Sequence, residues 1–471
     1  MSLTTELVEL ARSTGAAAAG VTGVERFDEA LTQLNRSIRD GTSGPLGFTY
    51  EDPHTATDIR SSLPWARSLF VFAVPYIGDA YKPPRTGPIV GRFATKDFYE
   101  PVRRVAEAVS AHLENRGSKT ETLIDDNRLV DRSVAIRAGV GWLGKSTMVL
   151  TPGAGPWILL GSVATDRWLD RTSPMTRDCG TCTACIPACP TGALSGGALD
   201  ARRCLSTWLQ TPGSIPHWIR PVLGRRIYGC DDCLTSCPPG HPAMRRAEEV
   251  SSEDSFARML SLSDDDLVDN HSWWFIPRRD GRFIRRNLLV AAGNSGEPED
   301  FAAVTDHLYH RSSMIRGHAA WASARAGGGK AAASIRRALE AERTPEGREE
   351  MLLALVMLEQ PGFYAELMAD DERVTTDDRY QALGVVGLSL DDDQIPQSGL
   401  RRLLVDREAP SHQEGDGIEE LVRVNDRERV LERRRRQARL AAEDVIPRQD
   451  LRAGFEGTSS SWRGSDRPWT R

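Results

Sequence analysis

The sequence predicts an α+β chain made of three folded parts and a tail, on three observations. Short apolar runs alternate with an amphipathic helix through the first 175 residues, all eight cysteines fall between 179 and 237, and Ala/Leu/Val-rich helices separated by Gly and Ser fill 283–340. With 471 residues the chain can bury two or three separate cores. A net charge of -6 argues against whole-molecule affinity for nucleic acid and leaves room for a local basic patch. The N-terminal stretch MSLTTELVELARSTGAAAAG lacks a basic region followed by an apolar one, and no run approaches the ~18 apolar residues of a membrane span. A soluble, cytoplasmic protein without a membrane partner is expected. In that reducing compartment clustered cysteines act as metal ligands or catalysts rather than disulfides.

In the first part (1–175), SLFVFAVPYI (68–77), TETLID (120–125), TMVLTP (147–152) and WILLGSVAT (157–165) read as strands of a buried, α/β-type sheet. Between them DFYEPVRRVAEAVSAHLENRG puts Val102, Val105, Val109 and Leu113 on one helical face, with Gly117 as the expected C-cap. The second part (176–245) is too rich in Pro, Gly and polar turns for a large core, so whatever the cysteines bind must hold it together. The third (246–360) contains FIRRNLLVAAGNSG and FAAVTDHLYHRSSMIRGHAAWASARAGGG, which suggest stacked helix pairs of the HEAT kind. Beyond it, 361–471 carries acidic runs, the basic run 433–436 and a Ser/Gly/Arg finish, read as a charged, mostly disordered tail.

Spacing decides what the cysteines hold. Cys179-x2-Cys182-x2-Cys185-x3-Cys189-Pro190 has the bacterial ferredoxin pattern, in which three thiolates cap one [4Fe-4S] cube and the cysteine before proline serves a second. Cys230-x2-Cys233-x3-Cys237-Pro238 mirrors its end. Two cubes need eight thiolates, so one takes Cys179, Cys182, Cys185 and Cys237, and the other Cys189, Cys204, Cys230 and Cys233. The competing reading is a pair of zinc sites with four cysteines each. A cluster pair is an electron conduit, so the long N-terminal part is expected to hold the chemistry.

The stretch ARRCLSTWLQTPGSIPHWIRPVLGRRIYGCDDCLTSCP (201–238) resembles the epoxyqueuosine reductase family. So do RFATKDFY (92–99), LIDDNRLVDRSVAIRAGVGWLGKST (123–147), FIRRNLLVAAGNSG (283–296) and SSMIRGHAAWA (312–322), and the resemblance covers about residues 1–345. It implies a cobalamin-dependent reductase that converts epoxyqueuosine to queuosine at the tRNA wobble position. The family's cobalamin lies between the N-terminal domain and the cluster module, and its HEAT-like helices cradle tRNA. No Asp-x-His-x-x-Gly segment is present to supply a lower histidine ligand: DPHTAT (52–57) and DNHSWW (269–274) both lack the glycine. This agrees with a family that binds cobalamin without such a ligand.

By its place in Leu-Ile-Asp-Asp-Asn, Asp125 matches the family's acid, which protonates the epoxide oxygen. Such an acid must stay protonated near neutral pH through burial or a neighbouring negative charge. On an extended strand Asp126 would point the other way. From the residues alone, Asp125 is equally well a turn carboxylate capping a backbone N–H. Arg60, Arg92 and Lys145 are candidate contacts to cofactor phosphate or amides, and Ser206 and Thr207 border any cofactor packed on the second cluster. For tRNA, PRRDGRFIRR (277–286) offers Arg278, Arg279, Arg282, Arg285 and Arg286, followed by Arg311 and Arg316. The alternative is a solvated face balanced by nearby acids. Trp273 and Trp274 could stack a base or plug a seam between modules.

Three departures from the family pattern stand out. Phe98-Tyr99 follows Asp97 where the family has Tyr-His, Asp125-Asp126-Asn127-Arg128 replaces Asp-Thr-Gly-Pro, and Pro239-Gly240 replaces Trp-Asn. They favour a rival reading, a cobalamin and iron–sulfur reductase of another substrate in the manner of reductive dehalogenases; the clusters by themselves also allow a ferredoxin-type electron carrier. An enzyme of the first kind needs an external electron donor such as ferredoxin or flavodoxin, and is expected to act as a monomer.

Overall fold

The computed structural model describes residues 1–77, 79–81, 86–246, 248–250, 254–362 and 364. The expected tail, with its basic run 433–436, lies outside the described residues from 365 onward. The chain parts into two compact units between Val304 and Thr305.

The first unit is built on a four-stranded sheet of β1 (Ala18–Gly23), β2 (Ser68–Pro75), β3 (Thr120–Leu123) and β4 (Ile158–Thr165), in the order β1-β2-β4-β3. Every pairing is antiparallel, so the α/β-type arrangement expected for this region does not occur. The physical reason lies in β2, whose seven residues Ser68–Val74 are all buried. Leu69, Val71 and Ala73 enter one apolar cluster, and Phe70, Phe72 and Val74 enter another on the opposite face. A sheet covered on both faces reads as a continuous apolar run whether its strands are parallel or not. One cover is formed by α1 (Leu3–Thr14) and α2 (Tyr99–Glu114), whose Leu7, Ala11, Val102, Val105, Val109 and Leu113 share a cluster with the Phe70 face. The other includes α3 (Asp131–Arg137), through Val134 and Ala135.

Three local expectations are corrected. Residues 147–152 do not join the main sheet: Val149–Leu150 pairs with Trp142–Leu143 in a small hairpin. The C-cap of α2 is Asn115, while Gly117 takes φ +76 two residues later. Strand β1, AAGVTG, is too poor in β-branched and aromatic residues to announce itself, and full-length pairing with β2 creates it. At Gly20 any Cβ would sit 2.1 Å from the Ala138 carbonyl oxygen, so the close approach of α3's end requires glycine there.

Beside strands of two or three residues, the cysteine segment has short helices such as Cys185–Ala188, Leu205–Gln210, Arg220–Leu223 and Asp232–Thr235. Helices this short are not stable alone in water. They are tied to α4 (Arg282–Ser295), part of the expected HEAT region, which packs inside the first unit. Buried Arg286 donates to the carbonyls of Thr211 (2.8 Å) and Trp208 (3.1 Å), and also to Gly213. Asn287 Nδ2 donates to Leu209 and Ile227, and Asn294 Nδ2 to Arg220 and Gly224. Polar side chains thus satisfy carbonyls that no regular structure pairs.

In the second unit α5 (Ser313–Ala341), broken at Gly328, packs against α6 (Pro345–Glu359). The Thr344 side chain caps α6 by accepting from Gly347 N. The Arg316 guanidinium holds the carboxylate of buried Glu342 at 2.5 and 2.7 Å.

Candidate functional site

All eight cysteines are free thiols. Cys179, Cys182, Cys185 and Cys237 line one cavity of about 150 Å³ together with Trp142, Lys145 and Pro238. Lys145 closes its side: its backbone N–H donates to Cys179 Sγ at 3.4 Å, and its Nζ to the Gly180 carbonyl at 2.8 Å. The thiols also sort by mutual electrostatics. Burial pushes Cys237 up to about 11, with Cys179, Cys185 and Cys182 adding to the rise. Burial pushes Cys233 up to about 12, with Cys204 and Cys189 the next causes, and Cys230 rises with Cys204 among its neighbours. Cys185 also acts on Cys233, so the two quartets adjoin.

Thiols held this far toward the neutral form become ligands only when bound cations favour the thiolate. Among the described residues no three His, Cys, Asp or Glu side chains converge on a point that one ion could occupy. Cys182 is exposed, while Cys185 and Cys237 are buried.

The second site lies on the sheet. Two residues past the end of β3, Asp125 adopts φ +51, a left-handed conformation uncommon outside glycine. The turn therefore replaces the extended geometry assumed from the sequence, and the strand argument about Asp126 does not apply. Tyr99, first residue of α2, donates from Oη to Asp125 Oδ2 at 3.1 Å. Asp125, Tyr99, Asp131, Arg132, Met148 and Leu159 line a cavity of about 190 Å³.

Burial raises the Asp125 carboxyl above its ordinary value, the Tyr99 hydrogen bond opposes this, and Asp126 adds to the rise. Asp125 is nevertheless exposed to solvent. The rise therefore reflects dense protein around the carboxyl rather than exclusion of all water, and the direction is what the chemistry needs. Asp126 itself is held by Arg128, at 3.0 Å from Nε and 2.6 Å from Nη2. Burial also pushes Tyr99 well above its ordinary range, so its hydroxyl stays a donor.

Packing connects the two sites. Met148 and Leu159, which line the acid's cavity, share an apolar cluster with Tyr76, Phe98, Trp157 and Cys233. Beside it, Arg92 donates to Asp231 Oδ2 from its backbone N (2.7 Å) and from Nη1 (3.4 Å), and its guanidinium lies 5.0 Å from the Trp157 ring centroid. Arg92 Nε, Asp231 Oδ1 and Trp157 Nε1 are buried without a hydrogen-bond partner. Buried polar atoms are satisfied in the great majority of cases, so three at one seam call for a ligand or water.

The remaining candidates are placed as follows. Arg60 is half-exposed and paired with Asp58. Lys145 belongs to the Cys179 quartet. Ser206 Oγ accepts from Gln210 Nε2, and Thr207 is buried on the helix after Cys204; neither lines the two cavities. Arg285 and Arg286 are not surface cations, which corrects the reading of 277–286 as one basic face. Arg285 pairs with Asp264 at 2.7 Å and donates to the carbonyls of Leu260 and Leu262, and Arg286 ties down the cysteine segment. Arg282 is bound bidentate by Asp280, Arg279 lies 3.8 Å from Asp269, and Arg316 is held by Glu342. Arg278 and Arg311 are exposed. Trp273 and Trp274 both donate from Nε1 to the Ala94 carbonyl, and Trp274 stacks on Tyr228 with centroids 4.3 Å apart, so the pair seals a seam. Sequence reasoning missed Tyr99 and Asp131 as site residues. The signal for Tyr99 was its occupation of a motif position where histidine is usual.

Comparison with known proteins bears on both sites. Residues 178–240 match the family described as a 4Fe-4S double cluster binding domain. An epoxyqueuosine reductase of Bacillus subtilis is 30% identical over 375 residues, covering 76% of this chain and 96% of that protein. A crystal structure of epoxyqueuosine reductase with an epoxyqueuosine-modified tRNA-Tyr stem loop matches with a TM-score of 0.68 at 29% identity, covering 76% of this chain and 99% of the other. A Bacillus subtilis epoxyqueuosine reductase whose catalytic aspartate loop is swung out of the active site matches with the same TM-score, 0.68, and 29% identity.

Proposed function

The chain belongs to the epoxyqueuosine reductase family, and from that premise we propose that it reduces epoxyqueuosine in tRNA to queuosine, with Asp125 as the acid. The observation that carries this reading is the Asp125 carboxyl, raised toward its protonated form and held by Tyr99, in the same compact unit as the two thiol quartets. The family's catalytic acid falls on this residue by its place in the motif. A relative in which a catalytic aspartate loop can swing out is consistent with an acid set on a turn outside the sheet.

The quartet Cys179, Cys182, Cys185 and Cys237 holds one [4Fe-4S] cluster, and the quartet Cys189, Cys204, Cys230 and Cys233 holds the other. The cavity at Asp125, about 190 Å³, falls below the ~300–1,000 Å³ usual for a small-molecule site, so it suits the reacting end of a nucleoside and not a whole corrin. The residues that fit cobalamin are Arg92, Trp157 and Asp231, whose unpartnered buried atoms would hold its polar periphery. Bound there, cobalamin supplies a reduced cobalt that is a strong nucleophile and electron donor. Asp125 carries a proton to the epoxide oxygen as its C–O bond breaks, Tyr99 fixes the carboxyl's orientation, and Met148 and Leu159 form an apolar wall that limits water.

Electrons enter from a ferredoxin or flavodoxin at the Cys179 quartet, where Cys182 is exposed. For tRNA, Arg278 and Arg279 are the phosphate contacts within 277–286. Both stand at positive φ (53 and 50) in a turn where Arg278 is exposed. The pair α5 and α6 supports a HEAT-like reading of the second unit. Among the described residues no helix is long and apolar enough to cross a membrane.

Incubating anaerobically reduced, cobalamin-loaded protein with epoxyqueuosine-containing tRNA should yield a nucleoside lighter by one oxygen. An unchanged nucleoside from fully iron- and cobalamin-loaded protein would point to reduction of another substrate.

A further inference from the structure

Removing an epoxide oxygen as water breaks two C–O bonds, forms one C=C bond, and consumes two electrons and two protons. The electrons come through the iron–sulfur clusters, and Asp125 delivers one proton. We infer that Asp131 delivers the other, because Asp131 lines the same cavity as Asp125 and its Oδ1 is buried without a hydrogen-bond donor. This inference rests on the reductase reading above and assigns a second catalytic residue within it.

Asp131 opens α3, and a carboxylate in a first helical turn ordinarily serves the unpaired N–H groups there. Oδ1 takes no such bond. An ionised carboxylate with a buried, unpartnered oxygen in this position is costly unless it is neutralised by a proton. Burial accordingly pushes Asp131 well above the ordinary carboxyl range, Asp125 and Asp126 reinforce the rise, and Arg132 opposes it. Arg132 is partly engaged elsewhere, donating from Nη1 to the Thr147 carbonyl at 3.1 Å. Asp126 is bound to Arg128, and the Tyr99 hydroxyl is turned to Asp125. The cavity therefore holds two carboxyls, each kept toward its proton-bearing form, against a reaction that needs two protons at one leaving oxygen. Both carboxylates recover protons from water between turnovers.

The test uses iron- and cobalamin-loaded enzyme with an epoxyqueuosine-containing tRNA stem loop, comparing wild type with Asp131→Asn, Asp131→Glu and Asp125→Asn. Asp131→Asn should keep its iron content and tRNA affinity and lose about 10²-fold or more in single-turnover rate, the usual scale for a general acid. Asp131→Glu should recover most of that rate. In mixed H₂O/D₂O the wild-type rate should depend on two transferred protons and the Asp131→Asn rate on one.

Thermal melting adds a readout independent of turnover. A carboxyl whose folded pKa is raised stabilises the fold at low pH and loses that contribution as pH rises through the folded pKa. Asp131→Asn should therefore melt above wild type at pH 8, with the difference shrinking toward pH 5. An active wild type whose Asp131→Asn variant matches it in rate and proton dependence overturns the inference alone. Lost iron or lost tRNA affinity in that variant, or a lower melting point at both pH values, also overturns it by showing a structural role. A loaded wild type that leaves epoxyqueuosine intact overturns the parent reading and this inference with it.

Discussion

The sheet region and the cysteine segment of the first unit are held together by different forces. In the sheet region, Leu69, Phe72, Val105 and Leu113 are wholly buried and pack apolar against apolar on both faces. In the cysteine segment, buried Arg220, Arg286 and Asn287 bond to backbone carbonyls, and its helices span four to six residues. The first region folds by removing hydrocarbon from water, a driving force that needs no ligand. The second also buries apolar side chains, among them Ile215, Ile219 and Leu223, but adds a polar buttress from α4, and its eight thiols gain further stability from any metal they ligate. The contrast has a functional consequence. On the proposed reading, the apolar frame positions the left-handed turn that carries Asp125, while the cysteine segment brings electrons to it.

The largest break in this contrast should come from Cys233→Ala. It should abolish turnover, remove the iron of one cluster and loosen the cysteine segment, while circular dichroism retains the sheet region's signal. Collapse of the whole first unit would show that the two regions do not fold by separate forces. Next in size, Asp125→Asn should lose about 10²–10⁴ in rate with iron content unchanged, as single-turnover assays and iron analysis would show. Rate loss accompanied by loss of iron would instead tie the acid's turn to the clusters.

A smaller change sharpens the buttress argument. Arg286→Met leaves the Thr211 and Trp208 carbonyls unpaired and should destabilise the protein by about 1–3 kcal/mol for each group left buried and unsatisfied. Denaturant unfolding monitored at the iron–sulfur chromophore should show the loss before far-UV signals do. The smallest effect concerns Tyr99→Phe. The Tyr99 hydrogen bond favours the charged form of Asp125, so its removal should raise that carboxyl's pKa further. The alkaline limb of the rate profile should move to higher pH, by on the order of one unit. A shift to lower pH would mean that Tyr99 does not act on Asp125 through this bond.

The sequence by itself determined the features whose cause is local in the chain. Ligand chemistry demands close thiols, so x2-x2-x3 spacing announces two clusters. Apolar periodicity exposes α2, β2 and β4, because burying a face requires that repeat. The motif around Asp125 likewise singles out the residue proposed as the acid. Only the tertiary structure decided the rest. Strand β1 exists because β2 pairs with it, and the sheet is antiparallel although its doubly buried strands read as α/β. Arg285 and Arg286 face inward because segments 20 to 80 residues away in sequence leave carbonyls to be satisfied. Tyr99 meets Asp125 across 26 residues, and Asp131 shares their cavity only once α3 has docked on the sheet. The physical reason is one of range. Spacing and periodicity are written over a few consecutive residues, whereas desolvation and hydrogen-bond partners depend on which distant segments come to rest alongside.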